Sequence, residues 1–146
     1  MKPVIQEEKT GCAIASVAAL AGVTYQEARQ VAADLGINAY DRSLWSETGY
    51  IRKLLAAFGI SAAAGETMFT GWDDLPDHAL LAIKWHVLDD RAYWHWAVFV
   101  RENGNSYVLD SKPSLKTNRR TDFGRIQPRW YIRLETKKTG SENNIR

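Results

Sequence analysis

The chain has 146 residues, 45% hydrophobic and 25% charged, with a formal net charge of +2. A chain of this length makes about one domain and can bury roughly two-thirds of its unfolded surface, so a core forms without staples. Its basic residues are scattered apart from Arg119-Arg120 and Lys137-Lys138, which argues against nucleic acid as the main partner, and its single cysteine excludes an internal disulfide.

The first ten residues carry Glu7 and Glu8 where a secretory signal would carry basic residues, and the apolar run Ala13 to Ala21 is too short to cross a bilayer. The expectation is a cytoplasmic protein, or one secreted without a classical signal peptide, with no membrane association. Gly11 to Ala21 reads GCAIASVAALA, apolar nearly all round and rich in alanine. Such a helix is buried on all sides, and Gly22 suits its C-terminal cap. Thr24 with Glu27 three residues on is a capping box that opens a second helix, Tyr25 to Leu35, closed by Gly36. Its inner positions are Ala28, Val31, Ala32 and Leu35. A third helix is expected from Glu47 to Phe58, capped by Ser46, with Ile51, Leu54, Leu55 and Phe58 inside.

The periodicity then changes to that of strands: Ala79 to Leu88, His95 to Arg101, Ser106 to Ser111 and Trp130 to Leu134. Asn103-Gly104 is the strongest hairpin signal in the chain. Helices followed by antiparallel strands indicate an α+β domain over residues 1–136. The polar stretch 137–146 is expected to be a disordered tail.

Cys12 falls at the first turn of the buried helix, where unpaired backbone N–H groups and the helix dipole favour a thiolate, the form of sulfur that acts as a nucleophile. A lone cysteine is more often a small core residue, so the position needs support. If the Asn103-Gly104 turn pairs Glu102 with Asn105, Val98 faces Leu109 and Asp110 lies diagonal to His95 on the same face. Diagonal neighbours are roughly 7–8 Å apart at the backbone, within reach of two polar side chains. Asp110 could then fix the imidazole tautomer and leave the other nitrogen for sulfur. A three-residue turn would instead place Asp110 on the face of Trp96. Gln6, six residues before Cys12, could donate to the oxyanion beside the Cys12 N–H.

The stretch Gln6-Glu7-Glu8-Lys9-Thr10-Gly11-Cys12-Ala13-Ile14-Ala15 resembles the start of the catalytic helix in papain-like cysteine peptidases. It is most similar to the small bacterial branch whose domains cleave double-glycine leaders from bacteriocins. His95-Trp96-Ala97-Val98-Phe99-Val100 and Tyr107-Val108-Leu109-Asp110-Ser111 resemble that branch's histidine and aspartate strands. Ala13 stands where the branch usually has glycine. The resemblance implies a papain-like fold, with N-terminal helices and a central Cys-bearing helix packed on a C-terminal antiparallel sheet. It implies a cysteine peptidase acting through Cys12, His95 and Asp110, with Gln6 in the oxyanion hole, on a peptide or protein substrate. Glutamine deamidation, acyl transfer and a non-catalytic peptide-binding role remain open on the same machinery, as does the oligomeric state.

Gly11, Trp94 and Trp96 are the candidate substrate-binding residues; one of the two indoles is expected in the core and the other at the groove. His78, His86, His95 and Cys12 match no compact zinc spacing, so neither a metal nor another cofactor is expected. His86 has no carboxylate at a useful register, and the adjacent pairs Glu7-Glu8 and Asp73-Asp74 diverge and read as solvated surface.

Overall fold

The computed structural model describes residues 1–135, so the expected tail lies outside the described residues. Three helices come first: α1 (Cys12–Ala21), α2 (Tyr25–Asp34) and α3 (Gly49–Ala57). Seven strands follow: β1 (Ser61–Ala62), β2 (Thr67–Met68), β3 (His78–Leu88), β4 (Arg91–Glu102), β5 (Asn105–Leu109), β6 (Arg119–Arg120) and β7 (Trp130–Glu135).

Helix α1 is buried from Cys12 through Ala19 and ends in a left-handed Gly22 cap (φ 71°). Its alanines let α2, α3 and β4 all pack against it. The Thr24–Glu27 capping box forms in full at the start of α2. Helix α3 differs from the expectation at its start. Its N-cap is Thr48, with no side-chain cap bond, because Ser46 ends the preceding 3-10 turn Arg42–Trp45 and donates its N–H to Ser43.

The sheet is antiparallel, in the order β1-β7-β3-β4-β5-β6, and β2 pairs separately with β7. Asn103 (φ 53°) and Gly104 (φ 77°) are both left-handed, as a two-residue hairpin turn requires. The ladder pairs Glu102 with Asn105, Val100 with Tyr107 and Val98 with Leu109. A second two-residue turn, Asp89-Asp90, joins β3 to β4 and is left-handed at both residues. It starts β4 at Arg91, four residues ahead of the expected His95. Between the pairs Ile83↔His95 and His86↔Tyr93 the register slips, so that Lys84 and Trp85 together oppose Trp94. This is a β-bulge, with Lys84 at φ 54°.

Strand alternation gives the sheet two covered faces. Leu80, Trp96, Val98, Val100, Tyr107 and Leu109 join the helices in the main core. The opposite face, which carries Leu81, Ile83, Ala97, Phe99 and Val108, has its own cluster, sealed by Leu75, Ile126 and the rings of Phe69, Trp72 and Phe123. The sequence reading anticipated only the first of these faces as core. The second is covered by irregular segments that carry no periodic signal. No helix among the described residues is long and apolar enough to cross a membrane.

Candidate active site

The site is built where the start of α1 meets β4 and the end of β5. Gly11 serves as the N-cap of α1, which has no side-chain cap and no acidic residue in its first turn. The helix therefore presents uncapped N–H donors around Cys12, whereas α2 has its capping box. Gly11 is required by space: a Cβ there would strike the Tyr25 hydroxyl and come within 3.1 Å of the Glu8 carbonyl oxygen. Tyr25 donates to Glu8, which also pairs with Arg29 at 3.3 Å, so the turn leading into α1 is tied to α2.

Cys12 is fully buried. Its Sγ accepts the Trp96 backbone N–H at 3.4 Å, which sets it next to His95 in the chain and close enough to favour the protonated ring. His95 Nε2 bonds Asp110 Oδ1 at 2.7 Å, which leaves Nδ1 for the sulfur. Asp110 has no exposed surface. Its Oδ1 also accepts the Lys112 N–H at 3.2 Å, and its Oδ2 accepts from Arg120 at 3.0 Å. Asn118 holds the Asp110 carbonyl at 2.7 Å, and the Asp110 N–H donates to the Asn118 carbonyl at 2.9 Å. Arg120 is steadied in turn by Asp122, at 3.0 and 2.8 Å.

These contacts set the protonation states. Burial pulls the His95 imidazolium down, but the hydrogen bond with Asp110 and the nearby Cys12 sulfur outweigh it and hold His95 up at about 9. Burial pushes the Asp110 carboxyl up, yet His95, the Lys112 N–H and Arg120 bring it down to about 2. At neutral pH the pair is an imidazolium and a carboxylate. Among the described residues no group of three or more His, Cys, Asp or Glu side chains could hold a metal ion.

Gln6 lies beside the pair, and its amide is fully engaged. Its Nε2 donates to the carbonyls of Glu8 (3.0 Å) and Lys9 (2.9 Å), while Oε1 accepts from the Ser111 hydroxyl at 2.8 Å. Carbonyl oxygens only accept, so this amide orientation is forced. The Gln6 N–H also donates to the Ser111 carbonyl at 3.0 Å, lashing the 6–11 segment to the strand end that carries Asp110.

The two indoles lie on the same face of β4 and differ in what they border. Both Trp94 and Trp96 sit in the main core, edge-on to each other and to Trp130. Trp96 is fully buried and donates its Nε1–H to the Leu44 carbonyl at 2.9 Å. Trp94, 7% exposed, lines a cleft of about 270 Å³ with Trp45, Tyr93, Leu88 and His95. A second cleft of about 470 Å³, which shares Lys9, Trp45, Lys84 and His95 with the first, lies between the 6–9 segment and Lys112-Pro113-Ser114. The sequence reading missed Arg120 as a partner of Asp110. Its neighbour Arg119 faces outward over the Tyr107 ring, and an Arg-Arg pair on a two-residue strand has no periodicity to mark which member turns inward.

No protein-family model matches the chain, and no curated protein matches it. Among solved structures, the chain is similar to the crystal structure of a double glycine motif protease from an AMS/PCAT transporter in complex with the leader peptide. The two share 15% identity over 93% of this chain and 91% of that chain, with a TM-score of 0.62. At that identity the likeness concerns the fold alone: this chain has an α+β architecture like that of the double glycine motif protease.

Proposed function

We propose that the protein is a thiol-dependent hydrolase, a cysteine peptidase in which Cys12 is the nucleophile, His95 the acid and base, and Asp110 its positioning residue. The observation that carries this reading is the His95 ring, held by Asp110 at 2.7 Å through Nε2, on the strand whose next N–H, that of Trp96, meets the Cys12 sulfur at the uncapped start of α1. The Cys12 thiolate attacks the scissile carbonyl carbon, and the His95 imidazolium gives its proton to the departing amine. A water that loses its proton to His95 then cleaves the thioester, and sulfur leaves as thiolate. The helix-start N–H of Cys12 donates to the oxyanion. Gln6 joins it once substrate draws one Nε2–H away from the Glu8 or Lys9 carbonyl, which also loosens the segment beside the buried sulfur. Trp94 walls the groove from the cleft it already lines, whereas Trp96 acts from the core by directing its backbone N–H at the sulfur. The double-glycine protease supports a peptide substrate for this fold.

The full burial of Cys12 and the occupied Gln6 amide favour one second reading, a domain that binds peptides without cleaving them. Iodoacetamide labelling of the folded protein separates the two. Labelling at pH 6 that is faster than unfolding, and at least tenfold slower in His95→Ala, supports the enzyme. Labelling that waits for unfolding and ignores the His95 substitution leaves the binding domain.

A further inference from the structure

The cleft between the 6–9 segment and the 112–114 turn has a charge pattern that the hydrolytic reading does not use. Lys84 and Lys112 both line it together with His95, and the Lys112 ammonium is near enough to disfavour charge on Lys84. Among the described residues neither lysine forms an ion pair with a carboxylate. Of the acidic residues of the same cleft, Glu8 is held by Tyr25 and Arg29, and Glu7 accepts from the neutral Gln26 amide rather than from either lysine. The nearest buried carboxylate, Asp110, is already shared by His95 and Arg120. Both lysines are exposed, so solvent screens part of the repulsion between them and the His95 imidazolium, and an anion lying between them lowers it further.

The backbone enforces this arrangement. Lys84 sits at the β-bulge opposite Trp94 with φ 54°, a left-handed conformation that a non-glycine residue adopts at a cost. Without the bulge, Lys84 would continue the alternation of β3 and point away from the face of Ile83 and His95. Lys112 is placed by the turn that follows Asp110, since its own N–H bonds Asp110 Oδ1 at 3.2 Å. Burial first, and then the Lys112 ammonium, pull the Lys84 amine below its ordinary value, against the opposing attraction of Asp110.

We propose that Lys84 and Lys112 form a two-ammonium clamp for a substrate carboxylate lying within one residue of the bond that Cys12 attacks. The assignment of the clamp to substrate rests on the hydrolase reading above. The carboxylate is that of an acidic side chain or of a peptide C-terminus; both present two acceptor oxygens to two ammonium donors. In either case the substrate anion relieves the repulsion between the lysines and lies over the His95 side of the groove. The clamp thus selects for negative charge in a protein whose net charge is only +2.

The test uses the full chain carrying Cys12→Ala, so that binding is read without the thiol. Three probes are titrated and followed by NMR shifts of the Trp45 indole, which lines the same cleft: N-acetylglutamate α-amide, N-acetylalanine and N-acetylalanine amide. The expected result is that at least one carboxylate probe binds tenfold or more tightly than the neutral amide. Lys84→Gln and Lys112→Gln should each weaken it at least fivefold. Arg42→Gln should change it less than twofold, since that cation lies over the Tyr93 ring. The preferred probe distinguishes a side-chain from a terminal carboxylate. Equal binding of all three probes, or binding unaffected by the lysine substitutions, overturns the clamp. With Cys12 present, the ratio of iodoacetate to iodoacetamide labelling should fall at least fivefold in Lys84→Gln. An unreactive thiol together with lysine-dependent carboxylate binding overturns the hydrolase reading and leaves the clamp standing. A reactive thiol with no carboxylate preference does the reverse.

Discussion

Replacing Asp110 with asparagine isolates the interaction on which the proposed chemistry depends. In the wild-type protein His95 stands at about 9 against an ordinary 6.5, a preference for the imidazolium of roughly 3 kcal/mol. Seen from Asp110, the descent from 3.8 to about 2 corresponds to roughly 2.5 kcal/mol. These describe one pairing and are not summed, and the His95 figure also contains the contact with Cys12. The amide of Asp110→Asn would keep an acceptor for the ring but no charge, so burial, the first influence on His95, would meet much weaker opposition. The imidazole C2–H signal of His95 should then titrate at least one pH unit lower than in the wild type. Stability should follow with a definite sign. Because the folded value of His95 is raised, its stabilisation is complete below 6.5 and is lost as pH rises through about 9. Because the folded value of Asp110 is depressed, its stabilisation is complete above 3.8 and is lost as pH falls through about 2. Urea unfolding of the wild type should therefore show a plateau between about pH 4 and 6.5 that slopes down toward both extremes. The variant should lose most of the alkaline slope. A His95 midpoint that stays near 9 in Asp110→Asn would refute the assignment of its shift to Asp110.

Two further substitutions test the supports of the site. Arg120→Leu leaves the fully buried Asp110 Oδ2 without its 3.0 Å partner, and should cost about 3 kcal/mol in urea unfolding at pH 6, as breaking a buried pair does; a loss below 1 kcal/mol would show that water replaces the guanidinium there. Gly11→Ala drives a methyl group into the Tyr25 hydroxyl and should destabilise by about 1–3 kcal/mol. Combining it with Tyr25→Phe, which removes the struck atom, should recover at least half of that loss in thermal melts. Purely additive effects would mean that the nearby Glu8 carbonyl, 3.1 Å from the added carbon, is the real obstacle.

Much of the site was legible because local rules set it. The register that puts Asp110 beside His95 follows from the two left-handed residues Asn103 and Gly104, and a two-residue turn admits one pairing. The alternative three-residue turn would have sent Asp110 to the face of Trp96 and into the main core. Asp89-Asp90 makes the same kind of turn, but without glycine its signal is weaker, so the first part of β4 was not anticipated. The Ser46 cap failed because a 3-10 turn had already taken that residue, and a cap signal does not say which of two successive helical turns it ends or begins.

The sequence by itself determined the elements whose cause lies within a few residues: the alanine-rich helix between Gly11 and Gly22, the Thr24–Glu27 box, and the hairpin that aligns His95 with Asp110. Only the tertiary structure decided what lies across from them. It set the Cys12 sulfur against the Trp96 N–H, residues 84 positions apart, turned Arg120 onto Asp110, engaged both hydrogens of the Gln6 amide, and brought Lys84, on its bulge, into one cleft with Lys112. The physical reason is the range of the forces involved. Turn geometry and helix capping are settled between neighbours. The partner of a buried charge or donor is settled by which surfaces pack together, and side-chain periodicity does not specify that choice.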